Sequence, residues 1–107
     1  MKVIYNNIIP FKGFSAINLF GIIFARKEYK ELSKVILNHE AIHTAQMKEL
    51  LYIPFYILYG LEYIVNLIKY KDGNIAYRNI SFERESYEHE RQFDYLERRE
   101  HFNQYKR

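Results

Sequence analysis

The chain has 107 residues, enough for a hydrophobic core without cross-links, and we expect one domain over residues 1–107. It contains no cysteine, which excludes a disulfide framework, a cysteine-ligated zinc finger and a thiol nucleophile. The net charge of +3 is mild, so the composition does not call for nucleic-acid binding, and we expect no nucleic-acid partner.

Residues 1–25 are rich in β-branched and aromatic types, which predicts a β-hairpin or three short strands. The apolar run FSAINLFGIIF (14–24) is interrupted by Asn18 and lacks a small-residue cleavage site, so it is interpreted as structure rather than as a signal peptide. The sequence leaves the compartment open but favours a cytoplasmic or membrane-associated protein.

A helix is predicted over residues 32–52, with Ser33 as its N-cap and an end or kink near Tyr52, before Pro54. Spacings of three and four place one set of side chains on a single face of this helix: Val35, Ile36, His39, Ile42, His43, Gln46, Met47 and Leu50. This face is expected to be buried.

The same helix carries His39-Glu40-Ala41-Ile42-His43, the pattern His-Glu-x-x-His. Residues four apart project side by side, so the two imidazoles can share one ion, and Glu40 lies about 100° round from His39. Two neutral imidazoles suit Zn²⁺, and a nearby carboxylate can accept the proton of an attacking water. The pattern predicts a zinc site with Glu40 as general base; the alternative is two hydrogen-bonded core histidines in a helical protein without metal.

The next segment is apolar nearly all round and predicts a helix over residues 54–70. Gly60, Glu62 and Asn66 disfavour a simple membrane span, so a buried central helix is expected. One stripe of this helix is formed by Tyr52, Tyr56, Tyr59 and Tyr63. The stripe is interpreted either as a seam against other helices or as a contact with a membrane surface or a protein partner.

A turn is predicted at residues 71–74, an extended segment at 75–80, and a final helix over 81–101 with Ser81 as its N-cap. The basic tail is expected to be a solvated helix end.

A zinc site needs a third protein ligand. Glu49 is rejected, because a continuous helix would place it roughly 15 Å beyond His39. Glu83 and Glu85, which lie on different helix faces, remain candidates.

The order of the His-Glu-x-x-His helix and a later helix containing Glu83-Arg84-Glu85-Ser86 resembles the gluzincins, zinc peptidases that take a glutamate ligand from a second helix. The resemblance covers about ten positions and implies a zincin-like core, with Glu83 as third ligand and Ser86 packed beneath the metal. HEAIHTAQ also resembles small bacterial proteins with the pattern HExxHxxQ. Tyr87 stands where gluzincins carry an aspartate that orients a histidine, so Tyr87 or Glu85 is expected to take that role.

The resemblance also implies a donor to the oxyanion of the reaction, for which Tyr77 and Tyr87 are candidates together with Arg78 and His89. A peptide or protein substrate would pair with an edge strand, expected within Ile17 to Phe24.

The sequence therefore predicts an α+β domain, mainly α, with short N-terminal strands followed by about three helices. The expected function is zinc-dependent hydrolysis of peptide bonds by an activated water. The alternative is a zinc-binding regulatory or interaction module without turnover.

Overall fold

The computed structural model describes residues 2–10, 15–29 and 32–105. It is an α+β domain in which three short strands precede five helices. The strands are β1 (Val3–Asn6), β2 (Ala16–Leu19) and β3 (Ile22–Arg26), and a 3₁₀ turn follows at Lys27–Tyr29. The helices are α1 (Lys34–Glu49), α2 (Ile53–Tyr70), α3 (Gly73–Arg78), α4 (Ser81–His89) and α5 (Tyr95–Arg98), with a last 3₁₀ turn at Asn103–Tyr105. The predicted fold class is confirmed.

The sheet has the order β1-β3-β2, so β3 is its central strand. β3 pairs with β1 in parallel and with β2 antiparallel. Phe20 and Gly21 join β2 to β3 and both have positive φ, which is the geometry that two-residue hairpin turns require. β2 is therefore an edge strand, held to the domain by its partner and by the tip of the hairpin.

Helix α1 begins where the sequence predicts, because the Ser33 side chain accepts a hydrogen bond from the Ile36 backbone N–H. It ends at Glu49, and residues Leu51 and Tyr52, both with positive φ, turn the chain into α2. Pro54 lies in the first turn of α2, where its missing N–H costs nothing. The predicted break between the two helices is therefore present, slightly earlier than expected.

Two apolar clusters flank α1. One joins the sheet to the first half of α1 through Ile23, Ala25 and Leu32, and the other joins α1, α2 and α4 through Met47, Phe55, Ile80 and Phe82. The tyrosine stripe of α2 packs against this second cluster. The polar face of α1 contacts α4 between the two clusters, so the fold places the histidine motif in the interior.

Four expectations about the elements are wrong. Residues 75–80 are not extended, because Asp72 accepts hydrogen bonds from the N–H groups of Asn74 and Ile75 and starts α3. The predicted helix over 81–101 ends at His89, and a turn separates α4 from the four-residue α5. Ser81 is not the N-cap of α4, since Ile80 takes that position and the Ser81 hydroxyl donates to Glu62 instead.

Helix α2 is not a buried central helix either, since Phe55 is its one buried residue. Within the described residues no single helix has the length and hydropathy of a membrane span. The pair α1 and α2 passes that test together, by length and composition only, with a bend of 112° between them.

Candidate metal centre

His39 and His43 lie one turn apart on the buried face of α1, with ring centroids 4.8 Å apart. Both side chains are more than nine-tenths buried. A buried ring nitrogen that lacks a partner destabilises a fold, so each of the four nitrogens needs a defined interaction. The surrounding residues supply one for each.

The two Nε2 atoms converge on one carboxylate oxygen. Glu83, in the first turn of α4, places its Oε1 at 3.1 Å from His39 Nε2 and at 3.0 Å from His43 Nε2. The other oxygen of Glu83 accepts a hydrogen bond from the hydroxyl of Tyr59 on α2. Three elements that are distant in sequence thus meet at one point, and His39, His43 and Glu83 offer ligand atoms within 4.8 Å of one another.

The two Nδ1 atoms point away from that point and are fixed from behind. His39 Nδ1 lies 2.9 Å from Glu90 Oε2, and His43 Nδ1 lies 2.8 Å from Gln46 Oε1. Both partners are acceptors, so each Nδ1 carries a hydrogen and each neutral ring keeps its Nε2 lone pair for the centre. Such outer partners orient metal-ligating histidines and raise their basicity.

Gln46 is itself held in one orientation. Its side-chain N–H₂ donates to the Phe82 carbonyl at 3.0 Å and to Glu85 Oε1 at 2.9 Å. The amide oxygen of Gln46 must therefore face His43. The hydroxyl of Ser86, on α4, also donates to α1, at 3.2 Å from the His39 carbonyl oxygen. The buried seam between α1 and α4 is a connected polar network.

The electrostatics of the centre favour a cation. Burial alone would lower the pKa of His43, but the charge and hydrogen bond of Glu83 raise it to about 9. Burial would raise the pKa of Glu83, but the charge of His43 and hydrogen bonds from His39, His43 and Tyr59 hold it well below its usual range. Two nitrogens and one carboxylate oxygen at about 3 Å need a proton or a metal ion between them, and the group could hold a metal ion.

Glu40 faces the same region from the next position of α1. It lines a cleft of about 730 Å³ together with His39, His43 and Glu83. Burial raises the pKa of Glu40, while the charges of His43 and His39 oppose that rise. A carboxylate with a raised pKa binds a proton more readily than an exposed one, which suits Glu40 to accept and return a proton beside the two ligands.

The cleft has an apolar side and a polar side. Its apolar wall is formed by residues of the sheet region, α1 and α2: Pro10, Ala16, Ile17, Leu19, Met47 and Phe55. Tyr59, Tyr77 and Asn74 line the polar side and also line an adjoining cleft of about 590 Å³. The two clefts therefore share these three lining residues.

Tyr77 lines the cleft as an oxyanion donor requires, whereas the Tyr87 hydroxyl does not bind a histidine nitrogen. The rings of Tyr87 and His39 pack edge to face with centroids 4.5 Å apart, and the Tyr87 hydroxyl pairs with that of Tyr77 at 3.1 Å. The orienting role expected of Tyr87 falls to Glu90. Burial, followed by the charge of Glu83, raises the pKa of Tyr77 well above its usual range, so its phenol stays protonated.

Glu85 is neither a third ligand nor a direct partner of a histidine. Its carboxylate accepts hydrogen bonds from Gln46, Tyr95 and Arg99. Arg99 also forms an ion pair with Glu49 at 3.0 Å, and its side chain is 5% exposed. The expectation of a solvated helix end is therefore wrong at Arg99. Glu49 pairs with Arg99 and is not a ligand of the centre, as the sequence predicts.

Sequence reasoning missed Gln46, Glu90 and Tyr59 as residues of the centre. A signal existed for the first two, since Gln46 lies three residues after His43 and Glu90 lies two helical turns after Glu83. Asn18 was also missed: its amide donates to the Glu40 carbonyl at 2.9 Å and to the Thr44 hydroxyl, which ties the edge strand to α1.

Comparison of the chain with protein-family models, with curated proteins and with solved structures finds no match.

Proposed function

We propose that this protein is a small zinc-dependent peptidase with a gluzincin-like centre. The observation that carries the proposal is the convergence of His39 Nε2, His43 Nε2 and a Glu83 oxygen at one point, with Glu40 on the same cleft. Two imidazoles and one carboxylate are a usual ligand set for catalytic zinc, which keeps its fourth position open. Magnesium and calcium prefer sites made of oxygen ligands alone.

The chain's own residues have distinct roles in this proposal. Bound zinc would act as a Lewis acid toward the substrate carbonyl and the attacking water. Glu40 accepts a proton as the water oxygen adds to the carbonyl carbon, and it returns that proton to the amine nitrogen when the C–N bond breaks. His39 and His43 would each offer an unprotonated Nε2 to the metal, since Glu90 and Gln46 hold the hydrogens on Nδ1 and orient the rings.

Two phenols are placed to donate to the oxyanion that forms on the carbonyl oxygen. Tyr77 and Tyr59 both line the cleft, and burial raises the pKa of each, so both remain protonated donors. Tyr59 already donates to Glu83, whereas Tyr77 shares a weaker contact with Tyr87. Tyr77 is therefore the better candidate for stabilising the oxyanion.

The substrate would be an extended peptide that adds to the edge of the sheet. Ile17 and Leu19 of β2 line the cleft, and β2 pairs with β3 along one side. Main-chain hydrogen bonds to an edge strand hold a peptide without regard to its sequence. Of the range Ile17 to Phe24 expected to form the edge, residues 22–24 belong to the central strand, so the edge is shorter than expected.

A second candidate is a zinc-binding module without turnover. The burial of all three ligands favours it, since structural zinc sites are closed to solvent. The open cleft beside Glu40 favours the peptidase.

The test compares three variants with the wild-type protein. Glu40→Gln is expected to keep stoichiometric zinc and to lose hydrolysis of a quenched-fluorescent peptide library. Glu83→Ala is expected to lose zinc, and Glu88→Gln, on the exposed side of α4, serves as the matched control with both properties intact. Zinc binding with no hydrolysis in wild-type protein would favour the module, and absence of zinc binding would contradict both candidates.

A further inference from the structure

The outward face of α2 is apolar although it is exposed. Six aliphatic side chains on this face are between 54% and 72% exposed: Ile53, Ile57, Leu61, Ile64, Val65 and Ile68. At about 100° per residue they cover an arc of roughly 120°, on the side of the helix away from Phe55 and the tyrosine stripe. We call these six residues the outer face of α2.

The hairpin between β2 and β3 extends this surface. The Phe20 side chain is 55% exposed, and its ring lies 5.2 Å from that of Tyr56. The Phe20 backbone N–H donates to the Tyr56 hydroxyl at 2.9 Å, which fastens the tip of the hairpin to α2. A shallow groove lined by Leu19, Phe20, Ile53, Tyr56 and Ile57 joins the two. The outer face and Phe20 thus form one preformed surface.

Such a surface is costly in water. Burying an aliphatic side chain of this size stabilises a protein, and soluble monomers seldom leave a contiguous apolar patch of this kind uncovered. Folding does not require it, because polar residues at these positions would form the same helix. The outer face therefore points to a binding function.

Its composition favours lipid over a protein partner. Cores of protein interfaces are enriched in aromatic residues, methionine and arginine, whereas the outer face holds isoleucine, leucine and valine alone. The tyrosine stripe and the one acid of α2, Glu62, turn inward, where Glu62 accepts hydrogen bonds from Ser81. A face with no polar group fits acyl chains, which need no directional contacts.

Positive charge lies at both ends of this face. Lys48 is exposed beside the turn that leads into α2, and Lys69 and Lys71 are exposed at its far end. The exposed Asp72 next to them uses its carboxylate to cap α3. A flat aliphatic helix face flanked by lysines complements the acyl layer and the anionic headgroups of a bilayer.

We propose that the outer face of α2 and Phe20 bind the surface of an anionic lipid bilayer, with α2 parallel to the membrane plane. The aliphatic side chains enter the headgroup boundary and the three lysines contact anionic headgroups. This inference does not rest on the metal centre. Leu19 and Tyr56 line both the groove on this surface and the cleft of the centre, so the cleft would lie close to the bilayer.

The test is co-sedimentation with vesicles of phosphatidylcholine and phosphatidylglycerol at three to one, and with phosphatidylcholine alone. Wild-type protein is expected to bind the anionic vesicles at least about tenfold more strongly than the double variant Ile57→Glu/Ile64→Glu, because the two substitutions together remove two aliphatic side chains from the contact and tenfold corresponds to about 1.4 kcal/mol. The control is Ile8→Glu/Ile75→Glu, which places the same charges at exposed isoleucines outside the face.

Reversal of two charges, Lys69→Glu/Lys71→Glu, is expected to weaken binding to the anionic vesicles several-fold and to leave binding to the phosphatidylcholine vesicles unchanged. Circular dichroism would establish that each variant is folded. Failure of wild-type protein to bind anionic vesicles, or equal binding by the outer-face variant, would overturn the proposal. Sedimentation velocity tests the alternative of a second copy. A wild-type dimer that becomes monomeric in Ile57→Glu/Ile64→Glu, together with no binding to vesicles, would assign the face to a dimer interface and would overturn the proposal.

Discussion

The seam between α1 and α4 and the outer face of α2 depart from the usual arrangement of residues in opposite ways. The seam places histidines, carboxylates and an amide in the interior, where His39, His43, Glu83 and Gln46 each have hydrogen-bond partners. The outer face places six aliphatic side chains in contact with water. Polar groups inside and apolar groups outside both cost stability, which marks the two regions as the candidates for function.

The difference lies in how each region compensates that cost. In the seam, hydrogen bonds within the chain offset the cost of burying polar groups, through a network that extends from Glu90 to Arg99. In the described part of the chain, nothing covers the aliphatic side chains of the outer face. The cost of their exposure to water is therefore offset only when a binding partner covers them. Disturbing the seam should therefore affect folding and metal binding, whereas disturbing the outer face should affect binding alone.

The largest effect is expected from Arg99→Ala. This change leaves the carboxylates of Glu85 and Glu49, which are 3% and 8% exposed, without their charged partner. Removal of one member of a buried ion pair costs about 3–5 kcal/mol of unfolding free energy, and loss of a partner shared by two carboxylates should fall near the upper end. Urea unfolding measures it. Arg98→Ala, whose exposed pair with Asp94 spans 3.7 Å, should change stability by less than about 1 kcal/mol.

A comparison of the two sides of α2 should give the next largest effect. Phe55→Ala removes a ring that is 3% exposed within the second cluster, and it should lower the free energy of unfolding by about 3–4 kcal/mol. Ile64→Ser on the outer face should stay within about 0.5 kcal/mol. Thermal and urea unfolding of both variants test this, and a similar loss in both would mean that the outer face is packed against the domain.

A smaller effect is expected from Glu90→Ala. It removes the acceptor that holds His39 Nδ1 and should weaken zinc binding by about 10- to 100-fold while the fold persists. Competition with a chelator gives the affinity, and Glu88→Ala, at an exposed position in the last turn of α4, is the control. Unchanged affinity would show that His39 is oriented without Glu90.

Much of this architecture was accessible from local sequence. Ser33 as N-cap, the buried face of α1, the break before Pro54 and the strands near the N-terminus follow from spacing and capping, which act over a few residues. The meeting of His39, His43 and Glu83 was expected through resemblance to the gluzincins, and the structure brings these residues together.

The remainder depends on tertiary contacts. The burial of α2 was mispredicted because a helix that is apolar all round does not reveal which side the domain covers. The end of α4 was missed because helix propensity continues through residues 90–101, whereas stacking of His89 on Tyr95 and the pairing of Arg99 with Glu85 require a turn there.

X-ray absorption spectroscopy of the zinc-loaded protein tests the central claim most directly. We predict two imidazole nitrogens at about 2.0–2.1 Å and a carboxylate oxygen at about 2.0–2.2 Å, with loss of one imidazole signal in His43→Ala and no change in His101→Ala. A first shell without imidazole scattering, or one that persists unchanged in His43→Ala, would contradict the account.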